Sequence, residues 1–259
     1  MFVEKPFFKK PGDQNVKIWR YMDFTKFIDL LDSSELYFSK PSGFSDPFEG
    51  SLTKKTSERI SNWYAENNVV PGQREEFSLM LKSHQSVIGI NCWHMNSHES
   101  EAMWKLYLNG GFGVAITSTY KRLTECFKVT ERNVYVSEIN YVDYDTYDLP
   151  GEEGNIGLYD PFIHKRLSFV HEKELRAIVL HERFEKSKWS GLSRNYPTDS
   201  FADGQPGYRE RCCLSTLIQE VVISPSAPDW FVRLIENCLR RFGYNFCIKQ
   251  SKIYSTPTY

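Results

Sequence analysis

No sign of charge dominates this chain: 32 Lys and Arg stand against 33 Asp and Glu, a formal net charge of −1 over 259 residues. That balance excludes nucleic-acid binding through bulk charge and leaves only a local basic patch for such a role. Long apolar runs are missing as well. No stretch approaches the roughly 20 apolar residues of a membrane span, and the opening MFVEKPFFKKPGDQ lacks the apolar core of a signal peptide. The expectation is a cytoplasmic protein that meets no membrane. The six cysteines show no CxxC spacing and sit mostly among apolar neighbours, as in INCWH and LIENCLRRF. Neither a zinc site nor a disulfide framework fits that pattern, so reduced thiols are expected. Neighbouring Cys212 and Cys213 would point to opposite faces of a strand, which argues against joint chelation. GxSxG, Walker and HExxH motifs are absent, as are Ser-His-Asp and Cys-His nucleophile signatures. His94 and His98 are four apart, but Asn96 and Ser97 look like a helix start between them, so no metal pair is expected there.

What the chain does have is apolar weight. Hydrophobic residues make up 41% and aromatics 15%, enough to bury a core in a chain this long. VKIWRYM (16–22) reads as a strand, and Asp23 is placed to cap a helix with Phe24, Phe27, Ile28 and Leu31 on one face. LYFS (36–39) is a short strand. Helices are expected over 56–67 and 73–84, a strand over 86–94, and a helix from about Glu99 to Asn109. The Gly-rich NGGFG then runs from helix into strand, so it is a cap and not a dinucleotide loop. Strands follow at 112–118 and 133–143, a helix at 161–170, and strands at 174–180, 211–218 and 220–224. An amphipathic helix after Pro228 and a last strand, FCIKQS, close the chain. Residues 1–15 read as an N-terminal extension, and 183–209 as a long polar loop of functional or mobile character. Strands mixed with helices without regular alternation predict one α+β domain over 16–259, with a mixed or split sheet and helices around it.

Chemistry concentrates in three places. FVHEKELRAIVL (169–180) loads charge onto the entrance of a strand. If 172–180 is extended, Glu172, Glu174 and Arg176 share a face about 6.6 Å apart. Such a line can hold one carboxylate ionised and raise the other, or it can be a plain ion pair at an exposed strand end. GFSDPFEG (43–50) places Asp46 and Glu49 in a turn between Phe44 and Phe48, packed down by its aromatic flanks. Trp104 and Tyr107, three apart on a helix, are either core or an aromatic wall for a stacked base.

Taken in order, IWRY, LYFSKPSGFSDPFEG, AMWKLYLNGGFGVAITSTY, HKRLSFVHEKELRAIV, LIQEVVISPSAPDWF and IKQSKIYSTPTY resemble domain-of-unknown-function family 2971 over roughly residues 16–259. The resemblance implies a bacterial cytosolic protein and carries no reaction. Ser45 departs from the Asn expected before Asp46-Pro47. A second, weaker similarity is to ADP-ribosyltransferases. It rests on Arg20 in the first strand ahead of a helix and on Glu172-Lys173-Glu174 opening a late strand. That similarity implies NAD as co-substrate, Glu174 as the catalytic carboxylate and Glu172 orienting or deprotonating the acceptor. Arg20 would hold pyrophosphate, and Tyr107 or Trp104 would stack on nicotinamide, with Tyr21, Asp46, Glu49, Lys165 and Arg176 as further binding residues. Two other classes stay open. Asp46, Glu49, Glu172 and Glu174 could bind Mg²⁺ for phosphodiester chemistry, with Lys165 and Arg166 steering phosphate. Alternatively, an aromatic pocket captures a nucleotide or a peptide without chemistry.

Overall fold

Asp23 does cap the first helix. Strand β1 (Lys17–Asp23) ends on it, and its carboxylate accepts from the Lys26 N–H at 2.9 Å to start α1 (Phe24–Ser33). The helix buries Phe27, Leu30 and Leu31, then stops at Ser34 in the left-handed region and feeds β2 (Glu35–Ser39). This computed structural model describes residues 1–108, 110–151, 155–181, 204–255 and 257. Beyond β2 come α2 (Lys54–Glu66), α3 (Pro71–Val87), β3 (Ile88–Met95), α4 (Glu101–Leu108), β4 (Gly113–Thr119) and α5 (Tyr120–Cys126). They are followed by β5 (Val134–Glu138), β6 (Asn140–Val142), α6 (Asp160–Ile163), β7 (His164–Arg166) and β8 (Glu174–Leu180). The described chain ends with β9 (Gly207–Arg211), α7 (Leu214–Leu217), β10 (Glu220–Ile223), α8 (Asp229–Arg241) and β11 (Cys247–Gln250).

Nine strands form one sheet in the order β11-β10-β4-β1-β3-β2-β9, with β8 on the other edge of β3 and β5 beyond it. Only β10 and β11 pair in parallel within it; β6 and β7 make a separate parallel pair. The fold is therefore a single α+β unit with a mixed, largely antiparallel sheet. One face carries the main core, where Ile18, Trp93, Ile116 and Leu175 meet α1, α5 and α8. The opposite face holds two smaller clusters, one around Ile90, Ile178 and Phe162 and one around Trp19, Tyr21 and Trp104.

The register splits the sheet. β8 follows β3 from Ile88 to His94, but the other edge of β3 is shared. β1 pairs only with Met95 and His94, and β2 only with Ile90. Between those contacts β1 leaves with β4, and β2 leaves with β9. A fork opens over Asn91–Trp93, and its exposed backbone is met by side chains. Arg20 Nη1 donates to the Cys92 carbonyl at 2.8 Å, and Asn91 Nδ2 donates to the Tyr37 carbonyl at 2.8 Å.

Four expectations need correction. The helix read over 161–170 lasts only from Asp160 to Ile163, because His164–Arg166 pairs with β6 and Leu167–Glu172 winds into a 3₁₀ turn. Its apolar stripe misled: Leu167 and Val170 are more than half exposed. The strand read over 211–218 is the end of β9 followed by α7, whose Leu214 and Leu217, with Ile218 just beyond, are buried at helical spacing. The strand read over 133–143 breaks at Ile139 into β5 and β6, which belong to different sheets. Residues 1–10 are no free extension: Phe2 bridges Val134, and Lys9 bonds to Ser137 and Glu138. Of the loop read over 183–209, residues 183–203 lie outside the described residues, while Gly207 onward is already strand. All six cysteines are free thiols. Among the described residues, no helix is long and apolar enough to cross a membrane.

Candidate functional site

The fork opens into a cavity of about 730 Å³, within the range of roughly 300–1,000 Å³ typical of small-molecule sites. Arg20 and Tyr21 of β1, Asp46 of the first long turn, Tyr107 of α4, Lys165 of β7, Glu172 and Glu174 all line it. Arg20, Tyr107 and Glu174, far apart in sequence, thus face one space.

Its acidic wall is built by alternation and by one unusual backbone angle. Glu174 and Arg176 are two apart on β8 and share a face, so Arg176 Nε reaches Glu174 Oε2 at 2.6 Å. The strand does not extend back to Glu172. Lys173 sits in the left-handed region at φ 42°, closing the 3₁₀ turn. That kink lets both carboxylates converge on Lys165 Nζ, with Glu172 Oε2 at 2.5 Å and Glu174 Oε1 at 2.9 Å. Behind the wall Glu49 grips Arg176 with both oxygens, at 2.5 and 2.9 Å, and the Phe162 carbonyl accepts from the same guanidinium at 2.8 Å. Asp46 pairs with Arg166 at 2.6 Å beside it. The turn that carries Asp46 and Glu49 closes at Gly50, whose φ of +71° and contact with the Phe162 ring leave no room for a side chain.

These pairs are buried and far from a solvated strand end. Arg176 is 0% exposed and Glu174 5%. Counting along the chain Glu49–Arg176–Glu174–Lys165–Glu172, three carboxylates face two cations, so one carboxylate is in excess. Glu172 is that one. Burial and the neighbouring Glu174 carboxylate push it up to about 7 despite Lys165. Burial also works against Glu174, but Arg176 and Lys165 outweigh it and hold that carboxyl at about 2. Two adjacent acids are thereby driven apart, the pattern that assigns one to proton transfer and keeps the other ionised.

The aromatic wall centres on Tyr21. Its ring stacks at 6.4 Å on Tyr107 and meets Trp104 edge-on at 4.9 Å, while its hydroxyl accepts from the Ser100 N–H at 2.9 Å. Trp104 is 2% exposed and bonds to Glu99, so it backs the wall and does not face the cavity. Tyr107 keeps 38% of its surface open, leaving a ring face for a ligand. Arg20 forms no ion pair among the described residues; its one hydrogen bond goes to a neutral carbonyl. Burial lowers its pKa, so it is a desolvated cation beside an open cavity.

Seven of the ten residues read from the sequence therefore line one space, and three do not. Glu49 and Arg176 form a sealed pair behind the wall, and Trp104 supports Tyr21. Sequence reasoning weighed His94 only as a metal ligand, whereas it lines the cavity, paired with Glu174 across the β3–β8 ladder. Its spacing to His98 drew attention to metal, whereas the useful signal was its place in the strand next to Cys92. Asp46, Glu49, Glu172 and Glu174 do not form a Mg²⁺ donor set: each already faces Arg166, Arg176 or Lys165, and a divalent ion would have to displace those cations. Among the described residues no three His, Cys, Asp or Glu side chains are grouped to hold a metal ion. Comparison with known proteins brings no relative to this site: no family model, curated protein or solved structure matches the chain.

Proposed function

We propose that the fork binds a nucleotide and that its acidic wall cleaves an N-glycosidic bond, with transfer of an ADP-ribosyl group from NAD as the reaction. The observation that carries this reading is the convergence of Arg20, Tyr107, Glu172 and Glu174 on one cavity. Arg20, desolvated and without an anionic partner among the described residues, takes the pyrophosphate. Tyr107, backed by the buried Tyr21, takes the nicotinamide ring by stacking. The bond between the ribose carbon and the nicotinamide nitrogen breaks with its electron pair leaving on the ring. The resulting oxocarbenium ion faces the excess negative charge of the wall. Water or an acceptor hydroxyl then closes the carbon, and Glu172 takes its proton, which suits a base poised near neutrality. This allots the roles differently from the sequence: both oxygens of Glu174 are already engaged, so it orders and charges the wall, while Glu172 does the proton work.

Calorimetry with NAD and chromatographic detection of released nicotinamide test the reading. Wild type binds NAD and releases nicotinamide at a rate that rises through about pH 7, where Glu172 ionises. Glu172→Gln keeps binding and loses the rate by roughly 10²-fold or more. Protein that neither binds NAD nor releases nicotinamide at millimolar concentration removes the proposal. A second reading, nucleotide capture without chemistry, is favoured by the full engagement of Glu174. Binding without release, unchanged in Glu172→Gln, selects it.

A further inference from the structure

The cavity runs past Arg20 to a second end, away from the acidic wall. There it is lined by Lys26 and Asp29 of α1, Glu35 and Tyr37 of β2, and Arg209 of β9. Alternation on β2 puts two of them there: Leu36 and Phe38 are buried in the main core, so Glu35 and Tyr37 face the other way and stay half-buried. The tip of the Tyr37 ring lies against β9 at Gly207, where an added Cβ would come within 2.6 Å of it, and the Arg209 guanidinium sits 5.8 Å from the ring centre. Charge at this end is uneven. Lys26 pairs with Asp23 at 3.0 Å, and Arg209 pairs with both oxygens of Asp29 at 2.9 and 3.0 Å. Glu35 makes no ion pair among the described residues, so one carboxylate is left over. β3 sets the order of the two ends. Asn91 donates to the Tyr37 carbonyl, the Cys92 carbonyl accepts from Arg20, and His94 pairs with Glu174 in the ladder. Tyr37, Arg20 and the acidic wall therefore follow one another along about 10 Å of strand.

We infer that this second end is the adenosine subsite of the dinucleotide, where Tyr37 stacks on the purine and Glu35 accepts from the hydroxyls of its ribose. The inference rests on the nucleotide reading and deepens it. With the pyrophosphate on Arg20 and the nicotinamide on Tyr107, the second nucleoside lies toward Tyr37. An aromatic face stacks on any base, so Tyr37 supplies affinity. Selectivity comes from Glu35. Its carboxylate accepts from a 2′-hydroxyl and repels a 2′-phosphate, while both cations nearby are already held by aspartates. The fork thereby takes NAD in preference to NADP.

Affinities of NAD, NADP and ADP-ribose are compared by calorimetry on wild type, Glu35→Gln, Tyr37→Ala and Tyr37→Phe. Wild type prefers NAD over NADP by roughly tenfold or more, a readout that no misfolded variant can obscure. Glu35→Gln narrows that preference, since the amide still accepts from a hydroxyl but no longer repels a phosphate. Tyr37→Ala weakens ADP-ribose by roughly ten- to a hundredfold, the worth of one stacked base. Tyr37→Phe, which keeps the ring, binds ADP-ribose within about twofold of wild type. Wild type that binds NADP as well as NAD overturns the subsite, and so does Tyr37→Ala that binds ADP-ribose like wild type; either result leaves the nucleotide reading standing. No NAD binding at all removes the reading and this inference with it.

Discussion

At the scale of single residues, Glu172 and Glu174 pull stability in opposite directions as pH changes. The carboxyl of Glu174 is held at about 2 in the folded state against 4.5 ordinarily. A lowered pKa stabilises the fold above about pH 4.5, and that contribution is lost as pH falls toward 2. The carboxyl of Glu172 is held at about 7. A raised pKa acts the other way: its favourable contribution is complete below 4.5 and lost as pH rises through 7. Urea denaturation should thus show the stability of wild type relative to Glu172→Gln falling by up to about 3 kcal/mol from pH 4.5 to 8, a difference in which the opposing rise from buried His84, held at about 4, cancels. Glu172→Gln removes that slope and is the more stable protein at pH 8. Glu174→Gln leaves Lys165 and Arg176 short of a buried partner and costs about 3–5 kcal/mol near pH 6. A Glu172→Gln protein that keeps the wild-type slope would show that the excess charge resides elsewhere.

Elements position these residues, and it is here that the sequence was readable in some places and silent in others. β1, α1 and β8 were legible because short apolar runs, an Asp cap and a charged strand entrance are local signals that the fold kept. β7 was not legible. Its three residues follow an apolar stripe at helical spacing, and only the parallel pairing with β6, more than twenty residues away, makes them extended. Lys165 owes its burial to that pairing, so the meeting of Lys165 with both glutamates is a tertiary fact. Glu172 and Glu174 were found as a pair, yet the left-handed Lys173 that turns them toward one cation has no signature in a Glu-Lys-Glu run. The turn ending at Gly50 offers a test at this scale. An alanine there must take a positive φ and push against Phe162, whose carbonyl also holds Arg176. Gly50→Ala should cost roughly 2 kcal/mol or more by thermal or urea unfolding. Gly43, with open space around the same segment, should accept alanine within about 0.5 kcal/mol. Equal tolerance at both positions would mean that the turn yields and does not fix Glu49.

The whole molecule depends on how its sheet ends. A split sheet gains a cavity in its middle, and it still has an edge at β5, beyond β8. Exposed edges recruit other strands, and proteins cover them. Residues 1–10 do so here. Val3 donates to the Val134 carbonyl at 2.9 Å, Glu138 donates to the Lys9 carbonyl at 2.7 Å, and Phe8 packs on the touching rings of Tyr135 and Tyr159 at 5.2 and 5.0 Å. Burying Phe8 alone stabilises by about 1.5–3 kcal/mol, and the edge hydrogen bonds add to it. The fork lies on the other side of β8 and β3 from this edge, and residues 1–10 contribute nothing to its lining. Deleting residues 1–10 should therefore separate stability from ligand binding. The expected outcome is a loss of about 3 kcal/mol or more in urea, together with self-association visible by light scattering as β5, Tyr135 and Tyr159 are bared. Affinity for NAD, measured below the onset of unfolding, stays within about twofold of wild type, because sites that share no partners act nearly independently. A milder change, Phe8→Ala, should reproduce part of the stability loss without the association, since the backbone cover of β5 remains. Deletion with an unchanged urea midpoint would show that the segment only decorates the edge. Loss of NAD affinity in a protein that still unfolds cooperatively would show that the fork is held open from the far side of the sheet.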